Sequence, residues 1–323
     1  MVAPVEYSVV VPVYNEQQTL PELLSRLGAV MRPLGDYELI FVDDGSTDGT
    51  LEILRRSVSS DPRVRVLSFS RNFGHQTAIT AGLHRAGGRA VVVMDGDLQD
   101  PPEVIPEMAR KWKEGFEVVY AVRRTRKGNP LKRAAYAVFY RLLARLSDIK
   151  IPLDAGDFGL MDRRVVDQIN AMPERTRFVR GLRSWVGFRQ APVVYDRQER
   201  FAGRPKYTLR KLVKLGLDGM FSFSAVPLRA ATALGFVVSI LALLYILKIL
   251  YWYFFYPPEE VARLKGWATT VTAILFLGGV QLIAIGVLGE YMGRIYEEVK
   301  QRPHYIFKEE IGFDGPEGKS RAE

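Results

Sequence analysis

The stretch VVVMDGDLQDPP, residues 91–102, places the carboxylates of Asp95, Asp97 and Asp100 directly after a run of apolar, mostly β-branched residues. Such a run, bounded by turn residues, predicts a buried β-strand. A local explanation exists for the acids, because Asp-Gly is a common tight-turn pair and acidic residues cap the helix that follows. That explanation treats this turn alone, so the neighbouring strands have to be considered.

Three earlier β-branched runs, at residues 7–14, 37–44 and 64–70, resemble the strand at 89–97, and the segments between them have helical periodicity. This alternation predicts a mostly parallel α/β sheet with helices on both faces, in which ligands bind outside the carboxyl ends of the strands. The first strand ends in PVYNE, the second in DDGSTDGT and the fourth in DGDLQD. We therefore expect three acidic turns to meet at one edge and to form a site there.

The composition narrows the chemistry of such a site. The 323 residues include no Cys and only three scattered His, which excludes disulfides, thiolate metal sites and cysteine nucleophiles and argues against a zinc cluster. Any metal should be a hard, oxygen-bound cation. The net charge of +9 indicates an anionic partner: nucleic acid, a phosphorylated substrate or an anionic membrane surface. Because the basic residues cluster beside apolar segments, a nucleic-acid partner is not expected.

Two long apolar runs, 228–256 and 267–290, each exceed the about 20 residues that cross a bilayer. With a short extracytoplasmic loop at 257–266 they predict a transmembrane hairpin. Basic residues on both outer flanks predict that both termini are cytoplasmic, and no cleavable signal precedes residue 7. Residues 207–227 have the amphipathic pattern of a helix in the headgroup plane, although an ordinary surface helix has the same pattern. The remaining segments are a catalytic domain at 1–206 and a cytoplasmic tail at 291–323.

The edge of the sheet lacks the usual phosphate-binding loops, since neither G-x-G-x-x-G after the first strand nor G-x-x-x-x-G-K-[ST] occurs. A divalent cation that joins Asp95 and Asp97 to a diphosphate is the natural alternative. Asp43 and Asp44 could then read a base or a ribose through hydrogen bonds.

Six segments in order carry a family resemblance: VVVPVYNEQQTL, FVDDGSTDGT, SRNFGHQTAITAGL, MDGDLQDPPEVI, GDFGLMDRRVVD and RFAGRPKYTLRKL. Together they resemble the family-2 inverting glycosyltransferases of GT-A fold. Within that family the chain is similar to the polyprenyl-phosphate branch, which includes dolichol-phosphate mannose synthase and bactoprenol (undecaprenyl-phosphate) glucosyltransferases with two C-terminal spans.

The resemblance implies roles for particular residues. Asp157 of GDF would be the candidate base, and Asp97 would be the second catalytic residue, through the metal. Arg200 and Lys206 would lie in a loop that closes over the diphosphate. The loop departs from the family pattern at Arg204-Pro205, and a solvated basic run is the simpler alternative there. The residues that would bind the nucleotide are Pro12, Tyr14, Glu16, Asp43, Asp44, Asp95, Arg200 and Lys206. The metal, Mg²⁺ or Mn²⁺, would be bound by Asp95, Asp97 and Gln99. The acceptor phosphate would be bound by Arg123, Arg124, Arg126, Lys132 and Arg133. General attraction to an anionic membrane also explains the last group.

The implied function is transfer of a hexose, glucose from UDP-glucose, to a polyprenyl phosphate with inversion, by a homo-oligomeric enzyme of the bacterial cell membrane that faces the cytoplasm. Another donor, GDP-mannose or a modified UDP-sugar, is an alternative, as is a catalytically dead sugar-nucleotide scaffold for a flippase. A processive polysaccharide synthase is not favoured, because the sequence lacks the Q-x-x-R-W motif of such enzymes. The segment nearest to that motif is GLRSWVG, around Trp185.

Overall fold

The structure is a computed structural model that describes residues 5–124, 155–175, 177–197, 226–255 and 266–313. They divide into two compact units. The first contains an eight-stranded sheet and takes described residues from both ends of the chain, between 5 and 197 and from 302 to 313; the second contains two long helices.

The sheet has the strand order β7-β5-β6-β4-β1-β2-β3-β8. Most neighbouring strands are parallel, but β6 is antiparallel to both β4 and β5, and β8 is antiparallel to β3. The strands are β1 Tyr7–Val13, β2 Tyr37–Asp43, β3 Val64–Phe69, β4 Ala90–Val93, β5 Val118–Arg123, β6 Ala155–Asp162, β7 Gln190–Tyr195 and β8 Phe307–Ile311.

Helices cover the sheet, and the apolar side chains between them form its core. Strands β1, β2 and β4 are buried along their whole length, as expected for central strands that are covered on both faces. The helices of this unit are α1 Leu20–Met31, α2 Thr50–Ser60, α3 His75–Arg85, α4 Ile105–Lys113, α5 Arg163–Ala171 and α6 Val179–Trp185.

The sheet confirms the predicted α/β class and the four strands read from the sequence, and it contains four strands that were not predicted. Strand β6 has no alternating apolar pattern, β7 contains Pro192, and β8 carries Lys308, Glu309 and Glu310. Proline and charged residues are typical of strands near the edge of a sheet, which hides them from a search for apolar runs.

The second unit consists of α7, Val226–Phe255, and α8, Gly266–Val299. Both helices are long and apolar enough to cross a membrane, over 231–251 and 270–299. Helix α8 continues nine residues beyond the predicted end of the span at 290, and its surface carries an ion pair of 2.9 Å between Glu290 and Arg294. Such an i,i+4 pair gives Glu290 a local partner on its own helix. Of the predicted amphipathic segment at 207–227 and the predicted connector at 257–266, residues 207–225 and 257–265 lie outside the described residues.

Beyond α8 the chain returns to the sheet and adds β8 to the edge of β3. The Tyr305 ring stacks on Phe69 at 5.3 Å, and its hydroxyl oxygen lies 2.9 Å from Nδ1 of His84. Glu309 and Glu310 form ion pairs of 2.5 and 2.9 Å with arginines of α2 and α3. The sheet is thus built from residues on both sides of the apolar helices.

Candidate active site

The acidic turns meet at one edge of the sheet, as the sequence predicts. Strands β1, β2 and β4 are parallel neighbours, so the residues after Val13, Asp43 and Val93 leave the sheet on the same side. Because β6 runs in the opposite direction, its first residues lie at that same edge. Asp157 of β6 and Arg123 at the end of β5 therefore join the acidic turns.

Asp43 and Asp44 shape the loops on the β2 side of this edge. The carboxylate of Asp43 accepts hydrogen bonds from the Ser46 N–H (3.1 Å) and the Ser68 hydroxyl (3.0 Å). Asp44 accepts from the N–H groups of Phe73 (2.6 Å) and Gly74 (3.1 Å), and burial raises its pKa. If Asp43 and Asp44 contact a nucleoside as predicted, those contacts would be additional to the hydrogen bonds that they accept from the protein.

The predicted nucleotide residues on β1 lie beside these loops. Pro12 is buried in the strand, whereas Tyr14 is 36% exposed at its end. The N–H of Glu16 donates to the Thr50 hydroxyl at 2.9 Å, which ties the loop after β1 to the start of α2. The predicted roles of Pro12, Tyr14 and Glu16 in binding a nucleotide stay predictions.

Asp95 and Asp97 offer carboxylate oxygens, the ligand type that a hard cation prefers. Among the described residues, Oδ1 of Asp95 is buried and accepts no hydrogen bond, and burial raises the pKa of this carboxyl to about 6. Asp97 is 8% exposed and accepts from the Gln99 N–H at 3.1 Å. No group of three or more acidic or histidine side chains able to hold a metal occurs among the described residues. Two carboxylates suit Mg²⁺, which commonly takes its remaining ligands from substrate phosphates and water.

Asp157 lies in a ring of donors that the sequence did not single out. Its Oδ2 accepts from Nε2 of Gln76 at 3.2 Å and lies 3.4 Å from both Nε2 of His75 and a guanidinium nitrogen of Arg180. Its Oδ1 is buried and accepts no hydrogen bond from the part of the chain that the structure describes. Burial opposes ionisation of Asp157, but Arg180 and His75 outweigh it and hold its pKa well below the usual range. His75 also lies 3.5 Å from Asp95, and although its burial favours the neutral ring, the two carboxylates raise its pKa to about 9.

A second buried acid lies under the same turn. Asp100 is 1% exposed and accepts a hydrogen bond from the Tyr195 hydroxyl, which also lies 3.3 Å from Nε of Arg123. Arg123 is thereby fixed beside the acidic edge, whereas Arg124 pairs at 3.1 Å with Asp196 on the exposed surface. The other predicted cations, Arg126, Lys132, Arg133, Arg200 and Lys206, lie outside the described residues.

Sequence reasoning missed His75, Gln76, Arg180 and the buried Arg183. A signal was available for the first two, because they lie in SRNFGHQTAITAGL, one of the segments that carry the resemblance, a few residues after the predicted strand at 64–70. Arg180 and Arg183 lie in FVRGLRSW, where two basic residues three apart look like an ordinary helix surface.

Comparison with known proteins identifies the family of the chain. Residues 8–169 match the sequence pattern of glycosyl transferase family 2, and residues 226–295 match that of the GtrB C-terminal hairpin. The chain is 50% identical to the uncharacterized glycosyltransferase YkcC of Bacillus subtilis, with 96% of this chain and 95% of the relative covered. It is 45% identical to the SfII prophage-derived bactoprenol glucosyl transferase of Shigella flexneri, over 93% and 97% of the two chains.

Among solved structures, the described fold is similar to glucosyl-3-phosphoglycerate synthase from Mycobacterium tuberculosis, crystallised with Mn²⁺, UDP-glucose and phosphoglyceric acid. The identity is 24% and the TM-score 0.47, with 68% of this chain and 80% of the other covered, a likeness too distant to bear on substrate or metal.

Proposed function

The chain belongs to glycosyl transferase family 2, and from that premise we propose that it transfers glucose from UDP-glucose to undecaprenyl phosphate or another polyprenyl phosphate. The observation that carries the proposal is the 45% identity, over 93% of the chain, to a bactoprenol glucosyl transferase. The match of residues 226–295 to the GtrB hairpin supports a lipid acceptor, because it extends the likeness beyond the sugar-nucleotide domain.

The proposed reaction is an inverting displacement. A phosphate oxygen of the acceptor attacks C1 of the glucose as the bond from C1 to the diphosphate oxygen breaks, so UDP leaves and a β-linked lipid-phosphate glucose forms. Pro12, Tyr14, Glu16, Asp43 and Asp44 would bind the nucleoside on the β1 and β2 side of the edge. Arg123, which Tyr195 fixes beside Asp100, would contact the acceptor phosphate.

Asp95, Asp97 and Gln99 would hold Mg²⁺ or Mn²⁺, which offsets the charge that develops on the leaving diphosphate. Replacing Asp97 by Asn removes one anionic ligand, so we expect kcat to fall by at least about a hundredfold at low Mg²⁺ and Mn²⁺ to fail to restore it. The measurement is kcat against metal concentration, with thermal unfolding as the check on folding. Near wild-type turnover of Asp97→Asn at low Mg²⁺ contradicts the metal assignment.

The two apolar helices would anchor the enzyme in the bacterial cell membrane with the catalytic domain in the cytoplasm. Basic residues before α7 and after α8 favour this orientation by the positive-inside rule. A homo-oligomer is expected from the family resemblance alone, and the molecular mass of the protein in detergent tests it.

Radiolabelled transfer tests the activity directly. Membranes that contain the protein are given a panel of UDP- and GDP-sugars with undecaprenyl phosphate, and we expect label from UDP-glucose to enter the lipid fraction in alkali-stable, acid-labile form. Preference for another sugar would change the donor but keep the reaction. Donor binding without transfer from any sugar would favour the non-catalytic scaffold instead.

A further inference from the structure

Helix α6 is fastened to the strand that carries Asp157. Arg183, which is 3% exposed, donates to the carbonyl oxygens of Gly156 at 3.0 Å and Asp157 at 3.3 Å. It passes over Gly159, where a Cβ atom would lie only 2.8 Å from the guanidinium. At the start of the helix the Val179 N–H donates to Oε1 of Gln76 (2.9 Å), whose other amide atom donates to Asp157. The first turns of α6 are thus held at a fixed place beside Asp157.

Arg180 lies between these two attachment points and is more exposed to solvent than Arg183. Its side chain is 25% exposed, whereas the Arg183 residue is almost wholly buried. The contact of Arg180 with Asp157 joins one terminal nitrogen to one oxygen at 3.4 Å. Charge-assisted hydrogen bonds in a bidentate pair measure about 2.7–2.9 Å, so this pair is loose and an arriving dianion can compete for the guanidinium.

A second arginine approaches the same segment. A terminal nitrogen of Arg123 lies 3.3 Å from the position that a Cβ atom would take at Gly156. Guanidinium groups therefore reach residues 156 and 157 from β5 and from α6, beside Asp95 and on the side of the sheet away from β2. The turns after β1 and β2 thus lie on one side of the turn after β4, and these two cations contact residues on its other side.

The negative charges of the two substrates indicate what these cations could do. A phosphate monoester has a second pKa of about 6, so the acceptor is mostly a dianion at pH 7 and must approach a donor diphosphate of the same sign. Preorganised cations where the second anion binds offset that repulsion without reorganisation. Arginine suits this role because its planar guanidinium can donate two hydrogen bonds to the oxygens of a phosphate group.

On these grounds, and resting on the proposed function, we propose that Arg180 binds the phosphate group of the acceptor lipid and that Asp157 is its positioning residue. Before the phosphate binds, Asp157 holds the guanidinium of Arg180 at the edge of the site. Gln76 and Arg183 fix the position of α6 relative to the Asp157 carboxylate.

The test uses the full-length enzyme in detergent with UDP-glucose and undecaprenyl phosphate, each varied separately. We expect Arg180→Gln to raise the KM for the acceptor by about ten- to a hundredfold, the usual worth of a lost charge-assisted hydrogen bond, and to leave the KM for UDP-glucose within about twofold. Arg180→Lys should give an acceptor KM between those of the wild type and Arg180→Gln, because lysine keeps the positive charge but lacks the planar guanidinium group. Arg189→Gln, which removes an exposed arginine stacked on Phe116, is the matched control and should leave both constants unchanged.

A double-mutant cycle separates positioning from a merely structural role. If Asp157 acts through Arg180, Asp157→Asn combined with Arg180→Gln should lose no more acceptor kcat/KM than Arg180→Gln alone. Fully additive losses, or an equal rise in both KM values, overturn the inference. These outcomes presuppose that the wild-type enzyme labels the lipid; absence of wild-type transfer rejects the proposed function itself.

Discussion

The carboxylate of Asp157 lies among groups that keep it ionised, and this bears on its expected role as a base. A carboxylate whose pKa lies far below its usual range is a weak base, so it is poorly suited to remove the proton of a phosphate monoanion near pH 6. The contacts of Asp157 with Gln76, His75 and Arg180 instead suit a group that aligns its neighbours.

We therefore predict that Asp157→Asn lowers kcat by a similar factor at every pH from 6 to 8.5. A positioning carboxylate that is ionised throughout this range is needed equally at each pH, whereas a base would matter most where the phosphate monoanion is abundant. The measurement is the ratio of wild-type to variant kcat across the series. A ratio that rises steeply toward pH 6 restores the general-base role.

His84 makes the fold sensitive to acid. Burial, followed by the charge of Arg177, lowers the pKa of this ring from 6.5 to about 4. Between these two values the unfolded chain binds a proton that the folded chain does not, so the free energy of unfolding falls as the pH drops from about 6.5 to about 4.

We predict that His84→Gln is less stable than the wild type at pH 7.5 but loses less stability on acidification. The reason is that the substitution removes the hydrogen bond to Tyr305 together with the group that titrates. Thermal unfolding midpoints in detergent between pH 4.5 and 7.5 give both slopes. Parallel slopes for the two proteins contradict the assignment.

Among the secondary-structure elements, β8 closes an edge that would otherwise be exposed. An unpaired strand presents a row of free backbone groups, and charged residues such as Lys308 on the covering strand discourage further pairing. Removing residues 302–323 would expose β3 and the ring of Phe69.

We expect this truncation to cost about 3–5 kcal/mol of unfolding free energy from lost apolar burial, or a midpoint lower by roughly 10 °C. Removing only residues 314–323 is the matched control, because it leaves β8 in place. Calorimetry or scanning fluorimetry of the two proteins provides the comparison. Equal midpoints would mean that β8 contributes nothing to the stability of the sheet.

How far the sequence predicts these elements depends on what stabilises each one. The central strands and the meeting of the acidic turns follow from apolar runs such as 91–94, because covered parallel strands must be apolar throughout. Strands β6 and β8 depend on partners distant in sequence, and their own residues are partly charged. The same holds for the site: Asp95 and Asp97 stand out after a strand, whereas Arg180 gains meaning only when α6 packs beside β6.

For the molecule as a whole, the apolar helices and the acidic edge belong to different units and should be separable in function. We predict that replacing residues 226–301 by a flexible Gly/Ser linker, with β8 retained, preserves UDP binding. Transfer to undecaprenyl phosphate in bilayers should collapse, since the lipid is no longer brought to the site, while a short-chain polyprenyl phosphate in detergent should be affected much less. Calorimetric titration with UDP and the two transfer assays measure these effects. Equal loss with both acceptors would place the helices within the active site.

The position of β8 in the chain also fixes the order of events during biosynthesis. The partner of β3 leaves the ribosome only after both apolar helices have been made, and at about 5–20 residues per second that delay lasts on the order of ten seconds or more. Throughout this interval the nascent sheet has an open edge that chaperones can bind. A chain stalled or cleaved before the second helix is complete cannot finish its sheet, so completion of the catalytic domain is tied to synthesis of the whole hairpin.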